Sequence, residues 1–192
     1  MEGVATRHAA LLRREDTGLI LVDVQEAFRP VIDGFERVVA NCSLLAEGFG
    51  VLGRPVLVSE QYPKGLGPIV PELAERLPEG AVTVEKLRFS ACGVDAFDDA
   101  LAAAGCQAWV IAGIETHVCV NQTVHDLLAR GLDVHVAADA VSSRTAENRA
   151  LGLEKMAAGG ARVTSAEMAL FEMLEVAGSP EFKQISKLVR SR

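Results

Sequence analysis

The sequence predicts an α/β fold, a single domain built on a parallel six-stranded sheet with helices on both faces. Apolar runs with the composition of strands alternate with helical patterns, and short connections join them, which is typical of a doubly wound sheet. The runs LILVD at 19–23 and WVIAG at 109–113 are almost continuously apolar, as expected for strands buried on both faces. A length of 192 residues suits one domain with a single sizeable core.

The predicted elements alternate in order along the chain. Apolar runs predict strands at 19–23, 55–60, 81–85, 108–113, 133–137 and 161–164. The intervening patterns predict helices at 35–52, 71–77, 94–104, 117–130, 146–158 and 166–176. The segment QYPKGLGPIVP at 61–71 is rich in proline and glycine and is predicted to be an irregular loop. Residues 1–16 are interpreted as an N-terminal arm and residues 17–192 as the domain.

Composition narrows the classes of function. The formal net charge of -7 gives no overall electrostatic case for nucleic-acid binding. The apolar runs are of strand length and interrupted, so none is predicted to span a membrane. The opening segment MEGVATRHAALLRRED lacks the long apolar stretch of a secretory signal. A cytoplasmic protein with no nucleic-acid or membrane partner is therefore expected.

The four cysteines, at positions 42, 92, 106 and 119, form no CxxC pair, which fits a reducing compartment. Cys42 and Cys106 are interpreted as small residues packed in or near the core. No cysteines or histidines have zinc-finger or HExxH spacing, so neither a metal nor another cofactor is expected.

Three chemically capable residues fall at predicted strand ends, where ligands bind in doubly wound sheets. Asp23 closes the first strand, Lys86 follows the third, and Cys119 lies just beyond the fourth. With Thr116 as the helix N-cap, Cys119 falls in the first turn, where backbone N–H groups and the helix dipole lower the pKa of a thiol. Lys86 would act in the same direction, and Asp23 could accept the thiol proton.

Each of these residues also has a plainer interpretation. Asp23 could cap the turn after its strand, Lys86 could be a solvated surface lysine, and Cys119 could be a packed structural cysteine. Their joint occurrence at strand ends favours nucleophilic catalysis over the three separate interpretations.

Three motifs carry a resemblance to a known superfamily: LILVDVQEAF (19–28), VEKLRFSA (84–91) and GIETHVCV (113–120). On these the sequence resembles the isochorismatase-like cysteine hydrolases. Within that superfamily it is most similar to the isochorismatase domain-containing proteins, through SEQYPKGLGPIVPEL (59–73), GIETHVCVNQTVHDLL (113–128) and SPEFKQISKLV (179–189). The resemblance covers the chain from Thr17 onward, with the motifs in the same order.

The resemblance implies a Rossmann-like sheet of strand order 3-2-1-4-5-6 and a catalytic triad. In that triad Asp23 is the general acid and base, Lys86 supports the thiolate, and Cys119 is the nucleophile. It also implies a cis peptide bond between Ile114 and Glu115, with the N–H groups of Glu115 and Cys119 forming an oxyanion hole.

Neighbouring loop residues are expected to form the substrate pocket: Gln25, Phe28, Phe89, Ser90, Thr116 and His117. His117 stands two residues before Cys119 and so points to another helix face, which favours the pocket rim or a subunit contact over a catalytic base. Arg88 is either a contact for a substrate carboxylate or a surface salt-bridge partner.

Departures from the family patterns narrow the reaction. Nicotinamidases bind a metal through an aspartate and two histidines, but the corresponding segment here, SEQYPKGLGP, contains no histidine. True isochorismatases usually lack the nucleophilic cysteine, so Cys119 disfavours vinyl ether hydrolysis. The preferred hypothesis is a cofactor-free hydrolase of a small amide, or less favourably an ester, acting through a thioester. The alternatives are a catalytically weak binding or scaffold protein, isochorismatase-type ether hydrolysis, and a redox-responsive thiol protein.

The closing segment SPEFKQISKLV predicts a further amphipathic helix, with Phe182, Ile185, Leu188 and Val189 at helical spacing. Because both faces of the sheet are already covered, this stripe is expected to pack on an edge or on a neighbouring subunit. The predicted assembly is a homo-oligomer, at least a dimer, with this segment or the 61–71 loop contributing contacts.

Overall fold

The computed structural model describes residues 7–191, and its sheet contains six parallel strands in the order β3-β2-β1-β4-β5-β6. The strands are β1 Thr17–Val22, β2 Val56–Gln61, β3 Val82–Lys86, β4 Ala108–Ile114, β5 Asp133–Ser142 and β6 Arg162–Thr164. This topology confirms the predicted parallel sheet and its strand order. β1 and β4 are buried along their whole length because they lie at the centre of the sheet between two helical layers.

The helices fill the connections between strands, as predicted. They are α1 Phe35–Val51, α2 Pro63–Leu66, α3 Pro71–Ala74, α4 Asp95–Ala104, α5 Asn121–Ala129, α6 Ala146–Ala158, α7 Ala166–Leu174 and α8 Pro180–Arg190. Short 3-10 turns occur at Arg14–Asp16 and Glu26–Phe28, and one π-helical turn spans Thr116–Val120. No helix within residues 7–191 is long and apolar enough to cross a membrane.

The core lies on both faces of the sheet. Leu19 and Leu21 of β1 pack into a cluster with apolar residues of α1, α7 and α8. Ile20 and Val22 pack into a second cluster with residues of α4, α5 and α6. Successive side chains of a strand point to opposite faces, so a continuously apolar β1 supplies both clusters at once.

The carboxyl end of β4 depends on Gly113. Its φ is +117°, and a Cβ added there would lie 2.1 Å from the carbonyl oxygen of Val22. The register between β4 and β5 shifts at the same place, between Ile111 and Gly113. A glycine allows this close backbone approach, which brings the end of β4 against the end of β1.

β5 is longer than its predicted span of 133–137. Residues beyond the register shift pair again with β4, and the strand continues to Ser142. Asp139 lies in this extension and interrupts the apolar run, so the sequence pattern predicts a shorter strand. Its carbonyl accepts the side-chain amide of Asn41, and its Oδ1 accepts Ala166 N at 2.8 Å.

The segment 61–71 was expected to be irregular, but it contains α2 and begins α3, each with proline in its first turn. The helix predicted at 71–77 spans only Pro71–Ala74. Two buried side chains hold the segment to the sheet. Gln25 Nε2 donates to the carbonyls of Gln61 and Gly67, and Glu60 Oε1 accepts Ile69 N at 2.8 Å.

The predicted C-terminal stripe packs on its own chain. Ile185 is fully buried, and Phe182, Leu188 and Val189 pack against the cluster beneath α1 and α7. The Phe182 ring meets Phe171 of α7 edge to face, with centroids 6.2 Å apart. The stripe therefore covers the core of its own chain. Its side chains are buried without a contact from a neighbouring subunit.

The described part of the N-terminal arm, residues 7–16, lies against the same helices. Leu12 is buried, and its N–H donates to Glu172 Oε2 at 3.0 Å. Arg14 NH1 lies 3.3 Å from Glu181 Oε1 of α8. Residues 1–6 lie outside the described part of the chain.

Candidate active site

Asp23, Lys86 and Cys119 lie together at the carboxyl edge of the sheet. Asp23 directly follows β1, Lys86 is the last residue of β3, and Cys119 lies in the π-helical turn after β4. Asp23 and Cys119 line a cavity of about 320 Å³. Parallel strands end at a common edge, which is why residues nearly one hundred positions apart in sequence meet here.

Lys86 is a buried lysine, not a solvated one. Its Nζ lies 2.7 Å from Asp23 Oδ2 and 2.8 Å from Gln61 Oε1. The carbonyls of Phe89 and Arg88 lie 3.0 and 3.2 Å from the same nitrogen. An ammonium group can be buried when its donors are satisfied in this way. Lys86 therefore places a fixed positive charge beneath the cavity.

Asp23 is held from both sides. Its Oδ1 accepts the Ser59 hydroxyl at 2.7 Å, while Oδ2 accepts Lys86. Burial raises the pKa of Asp23 above its usual value, and the opposing charge and hydrogen bond of Lys86, with the Ser59 hydroxyl, act to lower it. A carboxylate with a raised pKa is a better proton acceptor than an exposed one.

The surroundings of Cys119 favour the neutral form of its thiol. The residue is 7% exposed. Burial and the Asp23 carboxylate raise the pKa of the Cys119 thiol to about 12, although Lys86 acts to lower it. The expectation of a lowered thiol pKa is therefore wrong, because the sulfur is out of water beside a carboxylate.

The backbone after β4 does not begin a regular α-helix as predicted. The peptide bond between Ile114 and Glu115 is cis. The π-helical turn then carries Cys119, and Glu115 O accepts Val118 N and Val120 N at 3.0 and 3.2 Å. Glu115 is the N-cap residue, so the assignment of this role to Thr116 is wrong. Among residues 7–191, Thr116 Oγ1 is buried with no hydrogen-bond partner.

Two of the six expected pocket residues, Phe28 and Phe89, line the cavity. The other four do not. Gln25 binds the backbone of the 61–71 segment, and Ser90 Oγ accepts Cys92 N at 3.2 Å. Thr116 is fully buried, and His117 Nδ1 lies 3.0 Å from Ser143 Oγ.

Sequence reasoning missed four residues that line the cavity: Gln61, Tyr62, Leu66 and Val118. Gln61 carries a signal that would have found it, since it is a polar residue at the carboxyl end of β2. Tyr62 and Leu66 follow it in the segment that was expected to be irregular. Arg88 is not among the residues that line the cavity. Its guanidinium lies beside Gly93, 3.4–3.6 Å from where a Cβ added to that glycine would be.

Glu115 lines the cavity, and its carboxylate is paired with Arg144. Arg144 Nε and the Arg144 backbone N donate to Glu115 Oε2 at 3.0 and 3.2 Å. The Glu115 side chain is mostly buried, whereas that of Arg144 is exposed. The ion pair therefore fixes one oxygen of this carboxylate.

The titratable side chains of the described residues form no metal site. Over residues 7–191 no group of three or more His, Cys, Asp or Glu side chains is arranged to hold a metal ion. All four cysteines are free and buried.

Comparison with known proteins agrees with the fold and the motifs. The isochorismatase domain model matches residues 17–168. Isochorismatase domain-containing protein 1 of Salmo salar is 40% identical over 169 residues, and the match covers 88% of this chain but only 59% of that relative. Isochorismatase domain-containing protein 2 of Danio rerio is 39% identical over 171 residues, covering 89% of this chain and 85% of the relative.

A solved structure extends the comparison to three dimensions. The structure of the MAR1 ribonuclease from Caenorhabditis elegans has a TM-score of 0.89 and 37% identity, covering 94% of this chain and 92% of that one. Domain model, relatives and fold agree over the same region. On this basis the chain belongs to the isochorismatase-domain family of isochorismatase-like hydrolases.

Proposed function

We propose that the protein is a cysteine-dependent hydrolase of a small amide, or less favourably an ester, acting through a thioester. The observation that carries this proposal is the cavity containing Cys119 and Asp23, with Lys86 Nζ 2.7 Å from Asp23 Oδ2 beneath it. A nucleophile, a proton acceptor and a fixed positive charge at one small-molecule cavity form a complete set for acyl transfer.

Acylation begins when Asp23 takes the proton of the Cys119 thiol. The sulfur attacks the substrate carbonyl carbon, a C–S bond forms, and the carbonyl electron pair moves to oxygen. As the tetrahedral intermediate collapses, the C–N bond breaks and Asp23 gives its proton to the leaving nitrogen. Because the resting thiol has a pKa of about 12, proton transfer to Asp23 accompanies attack instead of preceding it.

Deacylation repeats the same proton transfers with water. Asp23 takes a proton from a water molecule, whose oxygen attacks the thioester carbonyl. The C–S bond then breaks, the carboxylic acid leaves, and the proton held by Asp23 returns to Cys119. Lys86 keeps its place beside Asp23 throughout and offsets the negative charge of the carboxylate.

The oxyanion is assigned to backbone N–H groups of Glu115 and Cys119. Glu115 is the N-cap of the π-helical turn and Cys119 is within it, so both N–H groups belong to the amino-terminal end of one helical segment. Such donors stabilise a developing oxyanion in acyl transfer.

Two other activities are suggested by names. The family name suggests isochorismate, and the Caenorhabditis elegans relative is described as a ribonuclease. The cavity offers little to either, because the charged residues in its lining are the acidic Asp23 and Glu115, and the cations beside them, Lys86 and Arg144, are already paired with those two residues. The formal net charge of -7 also disfavours RNA.

The test is a hydrolysis screen of small amides and esters with Cys119→Ala measured in parallel. Cys106→Ala is the matched control, since Cys106 lies outside this cavity. We expect wild type and Cys106→Ala to hydrolyse the same substrates and Cys119→Ala to lose at least about a thousandfold in rate. Activity that survives in Cys119→Ala would contradict the assignment of Cys119 as the nucleophile.

Three further arms separate the remaining alternatives. Isochorismate and a short single-stranded RNA are included as substrates, and turnover of either in place of amides would replace the proposal. Binding of small amides without turnover by any variant would favour the binding-protein alternative. Reversible oxidation of Cys119 by dilute peroxide, with no amide turnover, would favour the thiol-switch alternative.

We place the activity in the cytoplasm, where the four free cysteines remain reduced.

A further inference from the structure

Three of the ten residues that line the cavity come from one short stretch of chain, residues 61–67. They are Gln61, Tyr62 and Leu66. This stretch, the α2 segment, begins with the last residue of β2 and contains the whole of α2. It therefore forms one wall of the cavity, and its position sets how wide the cavity is.

The middle of the α2 segment is weakly tied to the rest of the domain. Within the described part of the chain, residues 63–66 make hydrogen bonds only inside the segment, to the carbonyls of Tyr62 and Pro63. All residues of the segment are at least partly exposed. Tyr62 has a φ of +39° and Gly67 a φ of +73°, a region that glycine alone adopts freely. Segments with such features have low local stability.

Gln25 closes the α2 segment from behind the cavity. Its side chain is fully buried, and its amide binds both ends of the segment. Nε2 donates to Gln61 O at 3.0 Å and to Gly67 O, while Oε1 accepts Gln61 N at 2.8 Å. Both hydrogens and the oxygen of the amide are thus used, which fixes its orientation. One side chain therefore joins residues 61 and 67 across the base of α2.

The two ends of the segment are held differently. Gln61 is also fixed from β3, because Lys86 Nζ donates to its Oε1 at 2.8 Å. The carbonyl of Gly67 has Gln25 as its one hydrogen-bond donor among the described residues. Loss of the Gln25 amide therefore releases the carboxyl-terminal end of α2 first.

We propose that Gln25 is a positioning residue, which holds the α2 segment closed over the Cys119 cavity and so limits the size of the ligand that reaches the sulfur. The inference rests on the function proposed above in taking this cavity as the site. Gln25 does not line the cavity, so it acts through Tyr62 and Leu66 and not by touching the ligand. Its replacement should leave Cys119 in place and widen the opening.

Two alkylating reagents of unequal bulk measure the opening without any substrate. Iodoacetamide and its N-pyrenylmethyl derivative carry the same reactive group, so the ratio of their rates at Cys119 cancels any change in thiol reactivity. Rates are measured by mass spectrometry on wild type, Gln25→Met and Gln122→Met. Methionine is close to glutamine in length but lacks the amide. Gln122 is exposed on α5, so its variant makes the same change in contact with solvent.

We expect the rate of the pyrenyl reagent relative to iodoacetamide to rise at least about tenfold in Gln25→Met, because three buried hydrogen bonds are lost. The ratio should keep its wild-type value in Gln122→Met. Cys42, Cys92 and Cys106 are free and buried, and they report global unfolding. Their labelling should not rise in either variant.

Trypsin gives an independent measure of the same opening. Lys64 lies in α2 and is exposed, so cleavage between Lys64 and Gly65 should be at least about tenfold faster in Gln25→Met. Arg130 is exposed at the end of α5, at the opposite edge of the sheet. Cleavage after Arg130 should not change.

Gly67→Ala is the second variant, should Gln25→Met fail to fold. A Cβ at this position meets no atom within 4 Å, so the substitution strains the turn at φ +73° without a clash. It should shift the reagent ratio and the cleavage at Lys64 in the same direction as Gln25→Met.

An unchanged reagent ratio and unchanged cleavage at Lys64 in folded Gln25→Met, or in Gly67→Ala where that variant replaces it, would overturn the inference. Labelling of all four cysteines in step would also overturn it, since Gln25 would then hold the whole fold and not the α2 segment. Failure of the hydrolase function is a different result, because turnover that does not depend on Cys119 leaves the change in reagent ratio standing.

Discussion

Lys86 and Asp23 form an ion pair with 2.7 Å between Nζ and Oδ2, and both side chains are 1% exposed. The pair joins the end of β3 to the end of β1 across β2. Burial of two charges is costly, and only full pairing with further hydrogen bonds offsets it. Ser59, Gln61 and two backbone carbonyls supply those bonds. The arrangement therefore points to a functional requirement at this edge.

Replacing Lys86 by Met should disturb both titrating partners. Lys86 lowers the pKa of Asp23 and of Cys119 against the effect of burial, so its removal raises both. The proposed mechanism needs ionised Asp23, so the acid limb of the pH–rate profile should move to higher pH. Iodoacetamide labelling of Cys119, followed by mass spectrometry, should also slow.

The same change should lower the free energy of unfolding by about 3–5 kcal/mol, because it leaves a buried carboxylate unpaired. Lys183→Met is the control, since Lys183 is exposed on α8. Urea denaturation measures the difference. A Lys86→Met protein with unchanged stability and unchanged pH profile would show that the ion pair does not matter to either.

The alkylation rate of Cys119 should depend steeply on pH. With burial and Asp23 raising the pKa of Cys119 to about 12, the thiolate fraction grows across the whole accessible range. The rate should rise roughly tenfold per pH unit between about pH 7 and pH 9, whereas an ordinary thiol with a pKa near 8.5 begins to level off there. A plateau near neutral pH would mean that the thiolate is already formed.

Ser59→Ala removes the hydroxyl that donates to Asp23 Oδ1 at 2.7 Å. Ser59 lowers the pKa of Asp23, so that pKa should rise and the acid limb of activity should move to higher pH. A hydrogen bond to a charged group contributes about 1.5–3 kcal/mol, so the rate at mildly acidic pH should fall by tenfold or more. A uniform loss of rate with an unshifted pH profile would instead indicate a purely structural role.

Ile185→Ala tests the packing of α8. Ile185 is fully buried against the main cluster, and truncation of such a side chain costs about 2–5 kcal/mol. Gln184→Ala, at the exposed neighbouring position, should change the unfolding free energy by less than about 0.5 kcal/mol. Equal stabilities in urea would mean that α8 is not packed on its own chain in solution.

The expected assembly remains a homo-oligomer of at least two copies. Leu87 is 75% exposed, and the half-exposed Tyr62 and Phe89 lie close to it at the β3 edge. Grouped apolar side chains of this kind are uncommon on monomeric surfaces. Light scattering should give at least twice the 20.4 kDa mass of the chain. A clean monomer at micromolar concentration would contradict the expectation.

The sequence by itself determined the fold class and the edge of the sheet at which the candidate site lies. Continuous apolar runs predict strands buried on both faces, and parallel strands end at one edge. Asp23, Lys86 and Cys119 were therefore identifiable as neighbours from their positions after β1, β3 and β4.

Only the tertiary structure decided the surroundings of the candidate site's side chains. The pKa of Cys119 depends on burial and on the distance to Asp23, and neither can be read from a helix position. The cavity wall includes Tyr62, Leu66 and Val118 because of how α2 and the π-helical turn fold. Local patterns encode the period of an element, whereas solvation and charge pairing arise between residues far apart in sequence, and these set which thiol, which carboxylate and which ligand the site favours.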